Sequence, residues 1–396
     1  MFDLKAIQAA VREFGFDGWL LYDFRGLNVL AARVLQMDGK GIGSRRYFYL
    51  IPAQGEPRKL VHRIESGALD HLPGAKRIYL RWQELEAGVA ELVQGMKRIA
   101  MEYAPRNGNP YISRVDAGTV ELVRSFGVEI FSSGDLIQMF EAAWDEEQWQ
   151  MHLAAAKRTR AAFDRAFGFI AQQVRANGSV TEAEVQRVII EHFKANQLVS
   201  DHPAIVAVGP HSGDPHYETT ADSHTPMRAG DFVLIDLWGK LDRPRSVYSD
   251  LTWTGFIGTE VPARYEEVFQ VVARARDAAI RTVREAYAAG RVLHGWQVDQ
   301  AARDVIEQAG YGQYFIHRTG HSIGQETHGN GANMDNLETH EERRVLRRTC
   351  FSVEPGIYLP EFGVRSEVNV FVDASGQVHV TGGDPQTRVV PILAEY

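Results

Sequence analysis

The chain has a single cysteine, Cys350, among 396 residues, so it cannot close an internal disulfide. That thiol sits in an apolar, strand-like run, which fits a reducing compartment. No basic run is present either. Lys and Arg total 43 against 51 Asp and Glu, a net charge of −8, and without a positive stripe the chain lacks the footprint of a nucleic-acid partner. Long apolar runs are missing too. Between Met1 and Phe14 the apolar residues are broken by Asp3, Lys5, Arg12 and Glu13, which excludes a signal peptide or a membrane span there and makes the cytoplasm the expected location. No low-complexity segment or Pro-rich linker occurs.

What is present is ordinary globular material: 44% hydrophobic and 24% charged residues, in a chain longer than one core usually fills. Two domains are expected. Leu4, Ile7, Val11 and Phe14 space an amphipathic helix. Beyond them, β-like runs at Trp19 to Tyr22, Tyr47 to Ile51, Arg98 to Met101 and Val128 to Phe131 alternate with helical stretches such as Trp82 to Gln94. That alternation reads as an α/β domain.

A long helical pattern opens at Trp144-Asp145-Glu146-Glu147 and closes near Gly178, so the boundary is set at 145/146. Thr181 to Glu184 has the form of a capping box before a second helix with Val185, Ile189 and Phe193 on one face. Strand-like segments follow at Ala204 to Val208, Phe232 to Leu237 and Leu251 to Ile257, and then helices at about Ala263 to Ala289 and Trp296 to Ala309. Helix, helix, strands thus occurs twice. Aligning Val185 with Val298 pairs Ile189 with Ala302 and Phe193 with Ile306, which leaves a true duplication open.

Four acids border β-branched runs in the C-terminal half: Asp236 after Phe232-Val233-Leu234-Ile235, Asp250 before Leu251-Thr252, Glu354 after Phe351-Ser352-Val353, and Glu367 before Val368. A buried, unpaired carboxylate is costly, and hard divalent cations are held by converging carboxylates and imidazoles. Each acid alone could instead form a turn. Asp236 and Asp250 are expected to flank a hairpin turning at Gly239 to Arg245. Three imidazoles, His317, His321 and His328, fall within twelve positions among small residues, and His216 in Gly213-Asp214-Pro215-His216-Tyr217 is a fourth candidate.

The ordered series Leu234-Ile235-Asp236, Tyr248-Ser249-Asp250-Leu251-Thr252, Thr319-Gly320-His321-Ser322-Ile323-Gly324, Ser352-Val353-Glu354-Pro355-Gly356 and Gly363-Val364-Arg365-Ser366-Glu367 resembles the ligand motifs of the pita-bread metallopeptidases. The resemblance favours their aminopeptidase P and prolidase branch, and Asp17 to Leu30 resembles the creatinase-type N-terminal domain. It implies an N-terminal creatinase-like α/β domain over 1–145 and an α+β pita-bread catalytic domain over 146–396.

Two divalent metal ions are implied, manganese before cobalt or zinc. Asp236 would hold one ion, His321 and Glu354 the other, and Asp250 and Glu367 would bridge them. A metal-bridging hydroxide would cleave the N-terminal Xaa-Pro bond of a short peptide, Glu354 would relay its proton, and His216 and His328 would contact substrate and stabilise the transition state. His317, Tyr358 and Arg365 would line the pocket. A homodimer is implied as well.

The chain departs from the pattern in a longer Asp236 to Asp250 hairpin, in Trp253 where Arg is common, and in Arg318 before Thr-Gly-His. Two other readings stand beside the peptidase: a creatinase- or ectoine-hydrolase-like enzyme acting on a non-peptide C–N bond, and a non-catalytic peptide-binding protein on the same fold.

Overall fold

The computed structural model describes residues 2–37 and 43–396, so Met1 lies outside the described residues. The chain divides into two units, Met1–Glu141 and Ala142–Tyr396.

The first unit is built on six strands: β1 (Gly18–Asp23), β2 (Tyr47–Pro52), β3 (Arg58–His62), β4 (Ala75–Tyr79), β5 (Arg98–Met101) and β6 (Glu129–Ser132), in the order β4-β3-β2-β1-β5-β6. Only the β1–β2 and β2–β3 pairs are antiparallel. Every residue of β1 is buried, because alternate side chains enter different cores: Trp19 and Leu21 join one, Leu20 and Tyr22 the other. Helices α1 (Leu4–Glu13), α2 (Val29–Val34) and α5 (Gly134–Glu141) contribute to the first core, α3 (Trp82–Val93) and α4 (Ala117–Arg124) to the second. The strands at 58–62 and 75–79 were not expected from sequence, because Arg58, Lys59, Lys76 and Arg77 mask their alternation.

In the second unit α6 (Glu146–Asn177) starts on a capping box between Asp145 and Gln148 and stops at Gly178, whose φ of 77° suits a residue without a Cβ. After β7 (Val180–Thr181) comes α7 (Glu182–Ala195), capped by the expected Thr181/Glu184 box. The strands β8 (Leu198–Val199), β9 (Ile205–Val208), β10 (Pro226–Met227), β11 (Phe232–Leu241) and β12 (Ser249–Phe256) follow, then α8 (Ala263–Ala288) and α9 (Gly295–Gln308). The last elements are β13 (Ser322–Ile323), β14 (Thr349–Val353), β15 (Gly356–Tyr358), β16 (Gly363–Arg365), β17 (Val368–Val372), β18 (Val378–Thr381), β19 (Val390–Pro391) and α10 (Ile392–Glu395).

Among the described residues two large apolar cores fill this unit, beside a smaller cluster around Trp144, Tyr248 and Phe371. One joins α6 and α7 to β11 and β12 through Phe163, Phe167, Val185, Ile189, Val233 and Ile235. The other joins α8 and α9 to β14 and β17 through Phe269, Val272, Val298, Ile306, Phe351 and Val370. Each fully buried Phe, Val or Ile contributes about 1.5–3 kcal/mol relative to exposure. The faint helical repeat has a structural counterpart: α7 and α9 are each 14 residues long. Val185 and Val298 each stand four residues after the N-cap, Thr181 and His294, and all six paired residues are buried.

The β11–β12 hairpin corrects one expectation. Gly239 pairs with Ser249, and Lys240 and Leu241 continue the strand by pairing with β8. The turn therefore lies at 242–248, not at Gly239 to Arg245. Because Lys240 and Leu241 have partners on the other edge, the strand does not stop at the glycine. Among the described residues no helix is long and apolar enough to cross a membrane.

Candidate metal centre

Strand register explains why the acids converge. Asp236 sits inside β11, opposite Thr252, while Asp250 is opposite Trp238. Residues two apart share a face, so Asp236, Asp250 and Thr252 point to the same side of the hairpin. Trp253 has the other parity. It packs near Phe163 and under the Arg160 guanidinium, so this departure faces α6 rather than the site.

The second pair of acids lies where a ladder is interrupted. β14 and β17 pair as Val353 with Val368, and β15 and β16 resume the same register as Gly356 with Arg365. Glu354 and Glu367 stand across from each other in the gap. Their backbone N–H groups leave the ladder: Glu354 N donates to Thr319 O at 2.7 Å and Glu367 N to Thr252 O at 3.3 Å. The break thus draws in the β12 strand and the histidine-bearing loop around one point. Gly320 is required there, since a Cβ would lie 1.9 Å from Ser352 O.

His321 is held by three contacts with fixed consequences. Its N–H donates to Ser352 Oγ at 2.9 Å, its carbonyl accepts from Ser352 N, and its Nδ1 lies 3.1 Å from Ser322 O. A carbonyl only accepts, so Nδ1 carries a proton, and burial lowers the pKa of the ring, which favours a neutral imidazole with its lone pair on Nε2. That lone pair faces Asp250 Oδ2 at 3.5 Å and Glu354 Oε1 at 3.4 Å. Lone pair against carboxylate is repulsive without a cation between them.

The carboxylates carry the same mark. Thr252 Oγ1 lies 2.9 Å from Asp236 Oδ1 and 2.8 Å from Glu367 Oε2, yet a hydroxyl has one proton to give. Glu367 Oε1 is buried with no hydrogen-bond partner. Four carboxylates face the Arg365 guanidinium, with Arg318 also acting on Glu354. Burial raises the pKa of Asp236, with Glu354 adding to it and Arg365 opposing. Asp250 and Glu367 are pushed well above the usual range, first by burial and then by the neighbouring acids. Burial acts upward on Glu354 as well, but His321, His317, Arg365 and Arg318 together bring it below the usual value, the imidazoles only while protonated and the two guanidinium groups throughout. Asp250, His321 and Glu367 offer ligand atoms within 4.8 Å of one another, all buried. The donor set, an orphaned carboxylate oxygen, acids short of positive charge and an unprotonated imidazole nitrogen, fits divalent cations.

Around the cluster, His317 Nε2 lies 2.7 Å from Tyr358 Oη, which accepts from Arg365 Nη1 at 3.0 Å. Arg365 Nη2 donates to Asp236 Oδ2 at 2.6 Å. Burial lowers the His317 pKa to about 4 and raises that of Tyr358 to about 12. His328 stands edge-on to His321, with ring centroids 4.3 Å apart, and is lowered to about 4 by His321 first and burial second. By surface accessibility the residue is exposed. His216 is different. It lies in an exposed loop, and its ring makes no hydrogen bond or ring contact among the described residues.

Two positioning features were missed from sequence. Thr252, quoted only as part of a motif, joins Asp236, Glu367 and, through Arg365 Nε at 3.0 Å, the guanidinium. Asp299 and Arg303 on α9 look like an exposed pair four residues apart, yet both are buried. Asp299 accepts from Thr319 N, Thr319 Oγ1 and Asn336 N, and Arg303 donates to Phe315 O and His317 O. Together they fix the loop that carries His317 and His321.

Comparison with known proteins places this geometry in a class. The model of "Metallopeptidase family M24" matches residues 150–374. A probable dipeptidase PepE of Mycobacterium tuberculosis is 29% identical over 357 residues, 87% of this chain and 85% of that protein. A Xaa-Pro dipeptidase of Lactobacillus helveticus is 34% identical over 216 residues, 54% of each. Among solved structures, dipeptidase PepE from Mycobacterium ulcerans superposes with a TM-score of 0.65 at 24% identity, covering 98% of this chain and 96% of that one. The prolidase from Pyrococcus horikoshii OT3 gives 0.57 at 20% identity, covering 98% and 99%.

The fold is therefore an N-terminal α/β domain followed by a pita-bread metallopeptidase domain, as in the prolidase structures. The chain belongs to metallopeptidase family M24. That membership implies divalent metal ions, for which the buried cluster is the candidate site.

Proposed function

We propose that the protein is a two-metal Xaa-Pro peptidase, a dipeptidase before an aminopeptidase on longer peptides. In this reading residues 1–145 are the creatinase-like domain and 146–396 the catalytic one. The observation that carries it is the convergence of His321 Nε2 with Asp250 Oδ2 at 3.5 Å and Glu354 Oε1 at 3.4 Å inside the buried acidic cluster. Asp236, Asp250, His321, Glu354 and Glu367 would hold two ions, and an oxygen-rich set with one nitrogen suits manganese better than a soft-ligand metal. The ions supply an acidified water and polarise the scissile carbonyl.

The chain's own groups do the rest. Glu354, kept ionised by its neighbours, accepts the proton of the attacking water and relays it to the departing nitrogen. His328 donates to the carbonyl oxygen as charge develops on it, and His216 acts from its loop on the same substrate. The linked row His317, Tyr358 and Arg365 lines the pocket and fixes Asp236. The names of the relatives, dipeptidase and Xaa-Pro dipeptidase, support a dipeptide with proline after the scissile bond. The buried thiol of Cys350 suits the cytoplasm, and the family resemblance implies a homodimer. The test is turnover of Ala-Pro by manganese-loaded protein: chelation should abolish it and manganese should restore it, whereas activity that survives chelation contradicts the reading.

A further inference from the structure

Glu182, the first residue of α7, is completely buried, yet it is neither part of the cluster nor near it in sequence. Its carboxylate is fully engaged. Oε1 accepts from Val208 N at 2.9 Å and is paired with His211 Nδ1 at 2.8 Å, while Oε2 accepts from Tyr217 Oη at 2.7 Å. The Tyr217 ring stacks on His211 with centroids 4.4 Å apart. One buried acid at a helix N-terminus, where the dipole favours negative charge, thus ties together the end of β9, the turn at Gly209–Gly213 and Tyr217.

The far side of the same loop is fixed as well. Gly363 N donates to Ser212 Oγ at 2.9 Å, and backbone meets backbone so closely that a Cβ on Gly363 would lie 1.9 Å from Ser212 O. A Cβ on Gly213 would lie 2.5 Å from Leu359 O. These contacts seat the loop on the β15–β16 hairpin, which carries Tyr358 and Arg365. His216 lies between the two anchors, next to Tyr217; its N–H donates to Asp214 Oδ1 at 3.0 Å, and its ring has no hydrogen-bond partner among the described residues.

We propose that Glu182 is a positioning residue for His216: its carboxylate holds the 208–217 loop so that the His216 ring is presented to substrate. This rests on the reading of His216 as a substrate-contacting donor. Glu182→Gln keeps an acceptor for Val208 N and His211 and offers an amide N–H to the Tyr217 oxygen, whereas Glu182→Ala removes all three bonds and leaves Tyr217 Oη only the long contact to Ser223 Oγ at 3.5 Å.

The experiment is a double-mutant cycle on manganese-loaded protein with Ala-Pro, with metal content measured for each variant. Glu182→Ala should keep its metal and lose roughly ten- to a hundredfold in kcat, the scale of a misplaced catalytic group. Glu182→Gln should stay within about threefold of the parent, since acceptor and donor are both kept. In the His216→Ala background, Glu182→Ala should cost less than about twofold more, because coupled residues are not additive. If Glu182→Ala does not fold, Tyr217→Phe deletes one of the three bonds and enters the same cycle with the same expected sign. A His216→Ala loss that Glu182→Ala or Tyr217→Phe deepens by its full separate factor overturns the positioning role alone. A His216→Ala variant with unchanged kcat overturns the donor assignment and the proposal together.

Discussion

Arg365 Nη2 lies 2.6 Å from Asp236 Oδ2, and both side chains are buried in the middle of the acidic cluster. Among the described residues this guanidinium is the one hydrogen-bonded to a cluster acid, and Arg318 adds a second positive charge felt by Glu354. Breaking a buried pair strands the remaining charge and costs about 3–5 kcal/mol. Arg365→Gln should therefore lower the unfolding free energy of metal-depleted protein by that order, with a lower urea midpoint, and excess manganese should recover part of the loss by neutralising Asp236. An unchanged midpoint in depleted protein would contradict the pairing.

Repulsion among Asp236, Asp250, Glu354 and Glu367 predicts strong coupling of folding to metal. A ligand that binds only the native state adds about 2.7 kcal/mol at a hundred times its Kd. Chelation should lower Tm and manganese should raise it, with binding saturating near two ions per chain. Saturation below one ion with full activity would contradict the dinuclear site.

His321 and His328 are ring neighbours, yet the account gives them different duties. His321→Ala should lose metal along with activity. His328→Ala should keep both ions while kcat falls by roughly 10²-fold or more, the effect of deleting one oxyanion donor. If both variants bind metal normally, or both lose it, the assignment is wrong.

His152 on α6 predicts a pH dependence away from the site. It is fully buried between Tyr248 O at 2.8 Å and Thr381 Oγ1 at 2.6 Å, and burial lowers its pKa to about 4. The unfolded chain takes up this proton below the ordinary value near 6.5, while the folded chain resists it until about pH 4. The neutral ring's contribution is thus complete above pH 6.5 and is lost as pH falls toward 4, a total of about 3 kcal/mol. Unfolding free energies measured from pH 7 to 4.5 should show this slope in the parent and a shallower one in His152→Gln. Equal slopes would remove His152 as the cause.

Much of this was legible before the structure, for identifiable reasons. The Thr181/Glu184 box and the phase of Val185 with Val298 are local patterns, and local patterns survive folding. The five residues that converge in the buried cluster were readable because their order and neighbours make a composite signal stronger than any one acid. What failed to show was nonlocal. The true turn at 242–248 depends on Lys240 and Leu241 meeting Val199 and Leu198. Asp299 and Arg303 resemble a solvated helical pair until Thr319 and His317 close over them. Likewise Glu102, a carboxyl buried against Trp19, Asn28 and Ser133, has no signal at its own position.

The central claim is that the buried cluster cleaves the bond before proline. That bond is a tertiary amide without an N–H, so enzymes that use this hydrogen bond handle it poorly and a dedicated pocket is needed. The most direct measurement is kcat/KM of the manganese-loaded protein for Ala-Pro, Met-Pro, Ala-Pro-Ala and Ala-Ala under one set of conditions. The Xaa-Pro dipeptides should be cleaved fastest, the tripeptide next and Ala-Ala slowest. Equal rates on Ala-Pro and Ala-Ala would contradict proline specificity, and no turnover of any peptide with both ions bound would contradict peptidase action itself.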